Sequence, residues 1–174
     1  VFKAIKALKK KGVPINGIGI QGHYSLSFPD LSKLDHAIKR FSLLDLDVMI
    51  TELDISVLPH PGPEEKGEEE SFDEAKKLQL NPYSVELPVD VEIKFDERYQ
   101  SIFCVLLKNH KHVDRVTFWG LSDSRSWRND WPIQDRVDYP LLFDRNMKKK
   151  AVFDKLVTLA KGFPRSCDSQ IVSS

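Results

Sequence analysis

The stretch Leu46-Asp47-Val48-Met49-Ile50-Thr51-Glu52-Leu53-Asp54-Ile55 decides the fold class. It is a short run of β-branched and aliphatic residues that turns polar at its far end, the pattern of a strand buried on both faces of a sheet. Two further runs have the same character. Residues 13–24 (VPINGIGIQGHY) end on Gln21, His23 and Tyr24, and residues 113–121 (VDRVTFWGL) end near Trp119. Between the runs lie helical patterns. Leu34, Ala37, Ile38 and Phe41 mark an amphipathic helix over 31–44. Tyr99, Ile102, Phe103 and Leu106 mark another from about 95 to 109, and a last helix is expected over 151–160. Residues 1–12 are helical too, with Phe2, Ile5 and Leu8 on one face and Gly12 as the stop after a basic last turn. Alternating strands and helices specify an α/β fold with a parallel sheet, here of three strands.

In a strand, residues two apart point to the same side. Gln21 and His23 therefore share one face, and Glu52 and Asp54 share another. Both pairs stand at the C-terminal ends of successive strands, where parallel α/β sheets carry their sites. If the strands are neighbours, His23 reaches Glu52 or Asp54, and a ring between two carboxylates gives a buried acid the partner it needs. Trp119 follows at the same end of the third strand, with Asp123, Trp127 and Trp131 just beyond. Indole faces beside carboxylates suit a sugar ring, whose C–H groups stack while its hydroxyls take hydrogen bonds.

Composition narrows the remaining classes. Lys and Arg number 26 against 26 Asp and Glu, so the net charge is zero. No basic footprint points to nucleic acid or an anionic membrane surface, and no apolar stretch reaches the roughly 18 residues of a membrane span. Leu, Ile, Val and Phe make up close to a third of the 174 residues, enough for a packed core. Residues 56–92 read as one long irregular connection, and the acidic run from Glu64 to Glu74 reads as a solvated loop. Cys104 falls in a helical apolar pattern and Cys167 in an aperiodic tail, so no bond between them is expected. His110 and His112 read as surface residues. His23, Glu52 and Asp54 could also hold zinc, although a further His would be needed to strengthen that case. No His-Glu-x-x-His, Gly-x-Ser-x-Gly or phosphate-cradling glycine loop is present.

Three runs, Gly17-Ile18-Gly19-Ile20-Gln21-Gly22-His23, Val48-Met49-Ile50-Thr51-Glu52-Leu53-Asp54 and Val116-Thr117-Phe118-Trp119-Gly120-Leu121-Ser122-Asp123 with Ser126-Trp127, resemble glycoside hydrolase family 10, the endo-β-1,4-xylanases. They come in the order of that family's sixth, seventh and eighth strands, and Pro140-Leu141-Leu142-Phe143-Asp144 looks like its segment before the final helix. The resemblance implies a (β/α)8 TIM barrel of which only the C-terminal part is present. It covers residues 1–163, and 164–174 are expected to be an irregular tail. It also implies that Glu52 is the nucleophile of a retaining glycosidase and that His23 and Asp54 hold it charged and aligned. Gln21 and Trp119 would surround the sugar in the cleavage subsite, Trp127 would close over it, and Tyr24, Arg128 and Trp131 would extend the cleft. No cofactor or metal is implied; xylan or xylo-oligosaccharide is the expected partner. The sequence departs from the family in having Lys149-Lys150 before Ala151, where the family often has Lys-Pro.

A retaining mechanism needs two carboxyls roughly 5–5.5 Å apart. In the family the second is a Glu directly after Asn, and the sequence contains no Asn-Glu dipeptide. A barrel of this kind also needs eight strands and about 250 residues. The helical pattern already running at Val1 agrees with this. We therefore expect a fragment whose N-terminal half, in an upstream segment or a companion chain, carries the acid/base. The polymeric substrate places the enzyme outside the cytoplasm, extracellular or periplasmic. A non-catalytic sugar-binding fragment and a metal-dependent hydrolase are the alternatives.

Overall fold

The computed structural model describes residues 1–60 and 72–168. In chain order these form α1 (Phe2–Lys10), β1 (Gly17–Ile20), β2 (His23–Ser25), α2 (Leu31–Ser42), β3 (Asp47–Ser56), α3 (Glu74–Leu80), α4 (Val89–Lys108), β4 (Val113–Phe118), two short 3-10 turns (Asp123–Arg125 and Trp127–Asp130), α5 (Ala151–Gly162) and α6 (Arg165–Asp168). The four strands pair in parallel, β1 and β2 along one side of β3 and β4 along the other; among the described residues an isolated antiparallel bridge joins Phe143 and Lys149. The α/β class and the parallel sheet are as expected.

The strand expected over 13–24 is split in two at Gln21-Gly22. Gly22 has φ +89, and a Cβ there would stand 2.7 Å from Ile50 Cγ2, so the backbone at this break is shaped for glycine. At the end of α1, Gly12 adopts φ +80, the stop read from the sequence.

β3 carries a bulge at the level of the site. Ile20 pairs with Ile50 but His23 with Asp54, and on the other side Val116 pairs with Ile50 but Phe118 with Leu53. Both neighbours thus register one extra residue in β3 between Ile50 and Leu53. The buried aliphatics confirm the slip, falling on Val48 and Ile50 before it and on Leu53 and Ile55 after it. Bulges of this kind bend a strand and re-aim side chains; this one contains Thr51 and Glu52.

The core packs Val48, Ile50, Leu53 and Ile55 of β3 against Leu34 and Ile38 of α2, Phe95, Tyr99 and Ile102 of α4, and Val152, Leu156 and Leu159 of α5. Each such side chain contributes about 1.5–3 kcal/mol when withdrawn from water. The opposite face carries Gly19, Arg115, Thr117 and Trp119, all exposed.

Three expectations change. α4 begins at Val89 rather than near Phe95, because Pro88 precedes it and Asp90 and Glu92 favour its first turn. The segment over 56–92 is not wholly irregular: Asp73 accepts from the Lys76 amide at 2.8 Å and starts α3. Residues 61–71, most of the acidic run, lie outside the described residues. Cys104 and Cys167 are bonded, with Cα atoms 5.5 Å apart. The expectation that they stay apart assumed a frayed tail. Instead the chain turns at Phe163-Pro164, and α6 packs back against α5. Cys167 is thereby buried beside α4. Residues 165–168 are thus helical rather than irregular. Among the described residues, no helix is long and apolar enough to cross a membrane.

Candidate active site

The residues that the sequence placed together do meet. His23 begins β2, and the register that sets it opposite Asp54 brings its ring between two acids. Nδ1 of His23 lies 3.0 Å from Asp54 Oδ2 and Nε2 lies 3.0 Å from Glu52 Oε2. An ionised carboxylate only accepts, so with both acids charged His23 donates from both nitrogens. Both ring nitrogens are then engaged with carboxylates rather than turned toward an ion. Among the described residues, no group of three or more His, Cys, Asp or Glu is arranged to hold a metal.

Asp54 is 0 % exposed and fully partnered. Arg128 Nε and Nη2 reach its Oδ1 at 2.8 and 2.7 Å, and Trp127 Nε1 donates to its Oδ2 at 2.9 Å. A buried carboxylate is tolerable only with such compensation. Arg128 also donates to the Tyr24 carbonyl at 3.3 Å, tying the end of β2 into the same network. Glu52, by contrast, remains partly open to solvent. The arrangement therefore buries and fixes Asp54, orients His23 through it, and presents Glu52 as the accessible carboxylate.

The rings stand around this centre. Trp127 lies 5.0 Å from the His23 ring and Trp119 6.5 Å, both edge-on, and the two indoles are 37 % and 48 % exposed. Trp119 is fixed by its amide, which donates to the Leu53 carbonyl at 3.0 Å. Gln21 lies in the break between β1 and β2, where its carbonyl accepts from the Glu52 amide at 2.7 Å and its side chain is exposed. The Tyr24 ring is buried in the core and its hydroxyl has no hydrogen-bond partner; burial pushes the phenol up to about 12. His110 and His112 are exposed and far from this network in the fold, on the turn before β4.

Beneath the rings lie buried charges, of which the sequence singles out Asp123 but not Asp138 or Arg136. Asp138 accepts from Ser56 Oγ at 2.5 Å and from the Val57 and Tyr139 amides, closing the end of β3. Burial pushes its carboxyl up. Asp123 opens the loop that bears Trp127; it accepts from the Leu141 amide at 2.8 Å and from Lys150 Nζ at 3.2 Å. Burial raises it to about 6, against the pull of Lys150. Lys150 stands where a Pro was expected from the family pattern, and it uses that position to reach Asp123 and the Tyr139 carbonyl. Arg136 is also buried in this region. It and Asp138 lie in an aperiodic stretch, which carries no pattern by which a sequence reading could find them.

Known proteins resemble the chain in sequence and in fold. The sequence model of Glycosyl hydrolase family 10 matches residues 1–159. The chain is 38 % identical over 159 residues to endo-1,4-beta-xylanase A of Xylanibacter ruminicola, covering 91 % of this chain and 43 % of that protein. It is 39 % identical over 156 residues to a beta-1,4-xylanase of Dictyoglomus thermophilum, covering 90 % and 40 %. Among solved structures, a GH10 endoxylanase retrieved from a sugarcane soil metagenome superposes with a TM-score of 0.78 at 38 % identity, covering 91 % of this chain and 44 % of that one. A mutant protein solved in complex with xylotriose superposes at 0.73 and 29 % identity, covering 90 % and 43 %. The chain thus spans less than half the length of these relatives, and its α/β elements correspond to the C-terminal part of a (β/α)8 barrel. On its sequence and its fold, the chain belongs to glycosyl hydrolase family 10.

Proposed function

We propose that this chain supplies the nucleophile half of an endo-acting, retaining glycoside hydrolase that cleaves β-1,4-xylosidic bonds in xylan. The observation that carries the reading is the His23 ring held at 3.0 Å from both Glu52 and Asp54. It is an aligned carboxylate pair joined through an imidazole, beside exposed indoles. Glu52 attacks the anomeric carbon as the glycosidic C–O bond breaks and the leaving oxygen takes a proton from an acid. Water then cleaves the glycosyl-enzyme, the same acid now serving as base. Asp54 and His23 keep Glu52 charged and pointed, and Trp119 and Trp127 hold the ring being cleaved.

The acid/base is supplied from outside these residues, by the N-terminal half of the same barrel. In support, the sequence has no Asn-Glu dipeptide and covers well under half of its relatives. Xylan and xylo-oligosaccharides are the substrates, and a polymer of that size places the protein outside the cytoplasm.

Two measurements test the reading. The 174-residue chain alone should release no reducing sugar from xylan, whereas joined to the N-terminal half of the barrel it should. In that complete protein Glu52→Ala should remove turnover without unfolding, and azide should restore it, giving a xylosyl azide of inverted anomeric configuration. Turnover at the parent rate in the variant, or no azide product, would overturn the assignment.

A further inference from the structure

The loop that bears Trp127 and Arg128 is anchored at its base by one lysine. Lys150 caps the start of α5, and its side chain is only 9 % exposed. An ammonium carries three N–H donors. Here Nζ lies 3.2 Å from Asp123 Oδ2, 2.8 Å from the Tyr139 carbonyl and 4.0 Å from the centroid of the Phe95 ring on α4. Burial works against the charge, and Asp123, Asp138 and Asp96 favour it. Burying an ammonium is costly, and a buried ion pair of this kind can fix one arrangement over its competitors. An apolar side chain would pack against Phe95 at lower cost. The proline expected here from the family pattern would supply neither the ammonium nor the amide, which donates to the Leu142 carbonyl at 3.0 Å. The anchor therefore belongs to a lysine at this position.

What Lys150 holds through Asp123 is the turn itself. Asp123 Oδ1 accepts from the Leu141 amide at 2.8 Å, and the Asp123 amide donates to the Phe143 carbonyl at 3.0 Å. These two bonds seat the start of the turn on the segment that leads to α5. The Asp123 carbonyl accepts from Asn129 Nδ2 at 2.8 Å, so the two ends of the stretch 123–129 are tied to each other. Between those ends stand Trp127 and Arg128, and both donate to Asp54. Asp54 meets His23, and His23 meets Glu52, each at 3.0 Å. Neither hydrogen bond of Lys150 goes to any of these last five residues. A contiguous series of contacts nevertheless runs from its ammonium to the accessible carboxylate, the physical requirement for coupling the two.

We propose that Lys150 is a positioning residue for the nucleophile: acting through Asp123, it fixes the turn that carries Trp127 and Arg128, and with it the alignment of Glu52. The inference rests on the function proposed above. In the complete barrel, Lys150→Met should lower kcat on xylohexaose about ten- to hundredfold while KM stays within about twofold, the pattern of lost alignment rather than lost binding. Lys150→Gln keeps a donor for the Tyr139 carbonyl. It should fall between the parent and Lys150→Met, and it carries the test if Lys150→Met does not fold. Asp123→Asn should lower kcat on its own, and adding Lys150→Met to it should cost little more, because both changes break the same link. An unchanged kcat in the folded lysine variants, a loss that falls on KM, or losses that multiply in the double variant overturns the inference. The ring 15N signals of His23 give a readout independent of turnover. They should move in Lys150→Met and hold their positions in Lys149→Met, whose ammonium pairs with the exposed Asp154 instead. Equal movement in both variants, or none in either, defeats the positioning role. Movement in Lys150→Met alone, in a complete barrel that releases no sugar from xylan, defeats the proposed function and leaves the role of Lys150 standing.

Discussion

Arg128 meets Asp54 through two nitrogens on one oxygen, Nε at 2.8 Å and Nη2 at 2.7 Å from Oδ1, with both side chains almost wholly buried. That leaves Oδ2 free to accept from Trp127 and to face His23. The guanidinium therefore does more than neutralise: it occupies one side of the carboxylate so that the other side orients the imidazole, which in turn orients Glu52. The placing of Glu52 thus depends on an ion pair whose own hydrogen bonds do not involve Glu52.

Removing one partner of such a pair strands a buried charge. Arg128→Met should lower unfolding free energy by about 3–5 kcal/mol, measured by urea denaturation of the complete protein. Asp54→Asn in the Arg128→Met background should recover part of the loss, because the stranded charge is then gone. A cost below about 1 kcal/mol for Arg128→Met would show that the pair lies in a more hydrated setting than its burial indicates.

Gly22 joins β1 to β2 at φ +89, with Ile50 Cγ2 2.7 Å from where a Cβ would be. Gly22→Ala should therefore cost about 1–2 kcal/mol for the left-handed backbone, plus about 1–3 kcal/mol for the overpacked contact. The same change should reduce activity beyond the stability loss, because the Gly22 carbonyl receives the Asp54 amide at 3.2 Å and His23 follows directly. Differential scanning calorimetry, and xylan turnover by the complete protein at a temperature where the variant stays folded, check the two effects separately. A Tm within one degree of the parent refutes the first.

The sequence made the centre legible because its signal is local. The two-residue period brings Glu52 and Asp54 to one ring, and polar ends on three apolar runs mark one rim of a parallel sheet. The bulge at Thr51-Glu52 was not legible. It is visible only as a mismatch between the registers of both neighbouring strands. Arg136 and Asp138 escaped for a similar reason, since their partners are carbonyls, amides and a hydroxyl on distant segments of the chain. The Asp73 cap of α3 could have been found, as an acid three residues ahead of an amide it accepts from. The Cys104–Cys167 pair could not, because Gly162 and Pro164 mark a break after α5 but carry no sign that the chain then packs back beside α4.

That bond closes a loop across a sequence separation of 63 and fastens α6 to α4. Chain-entropy reasoning gives about 4 kcal/mol for a loop of this length, within a usual range of about 2–4 kcal/mol. Cys167→Ser, or dithiothreitol, should lower the Tm by about 10 °C on the scale for proteins of this size. The reductant should leave the Tm of Cys167→Ser unchanged. A parent Tm insensitive to reductant, with free thiols demonstrated, would remove the bond from the account of stability.

Asp123 supplies the pH dependence. Burial raises its carboxyl from 3.8 to about 6, so between those values the folded protein holds a proton that the unfolded chain releases. The unfolded state binds fewer protons in that window, and the contribution of this group to stability must fall as pH rises. It is fully present below about pH 4 and lost as the pH passes 6. The shift corresponds to roughly 3 kcal/mol. Asp123→Asn keeps an oxygen for the Leu141 amide but cannot titrate. The stability of the parent relative to this variant should therefore drop by that order between pH 4 and pH 7.5, measured by urea unfolding at each pH. Asp138 nearby is raised by burial in the same direction, but it is present in both proteins and largely cancels in the difference. A difference that stays constant with pH would mean that Lys150, 3.2 Å away, holds Asp123 ionised throughout. In that case the ion pair, rather than burial, governs the loop that bears Trp127.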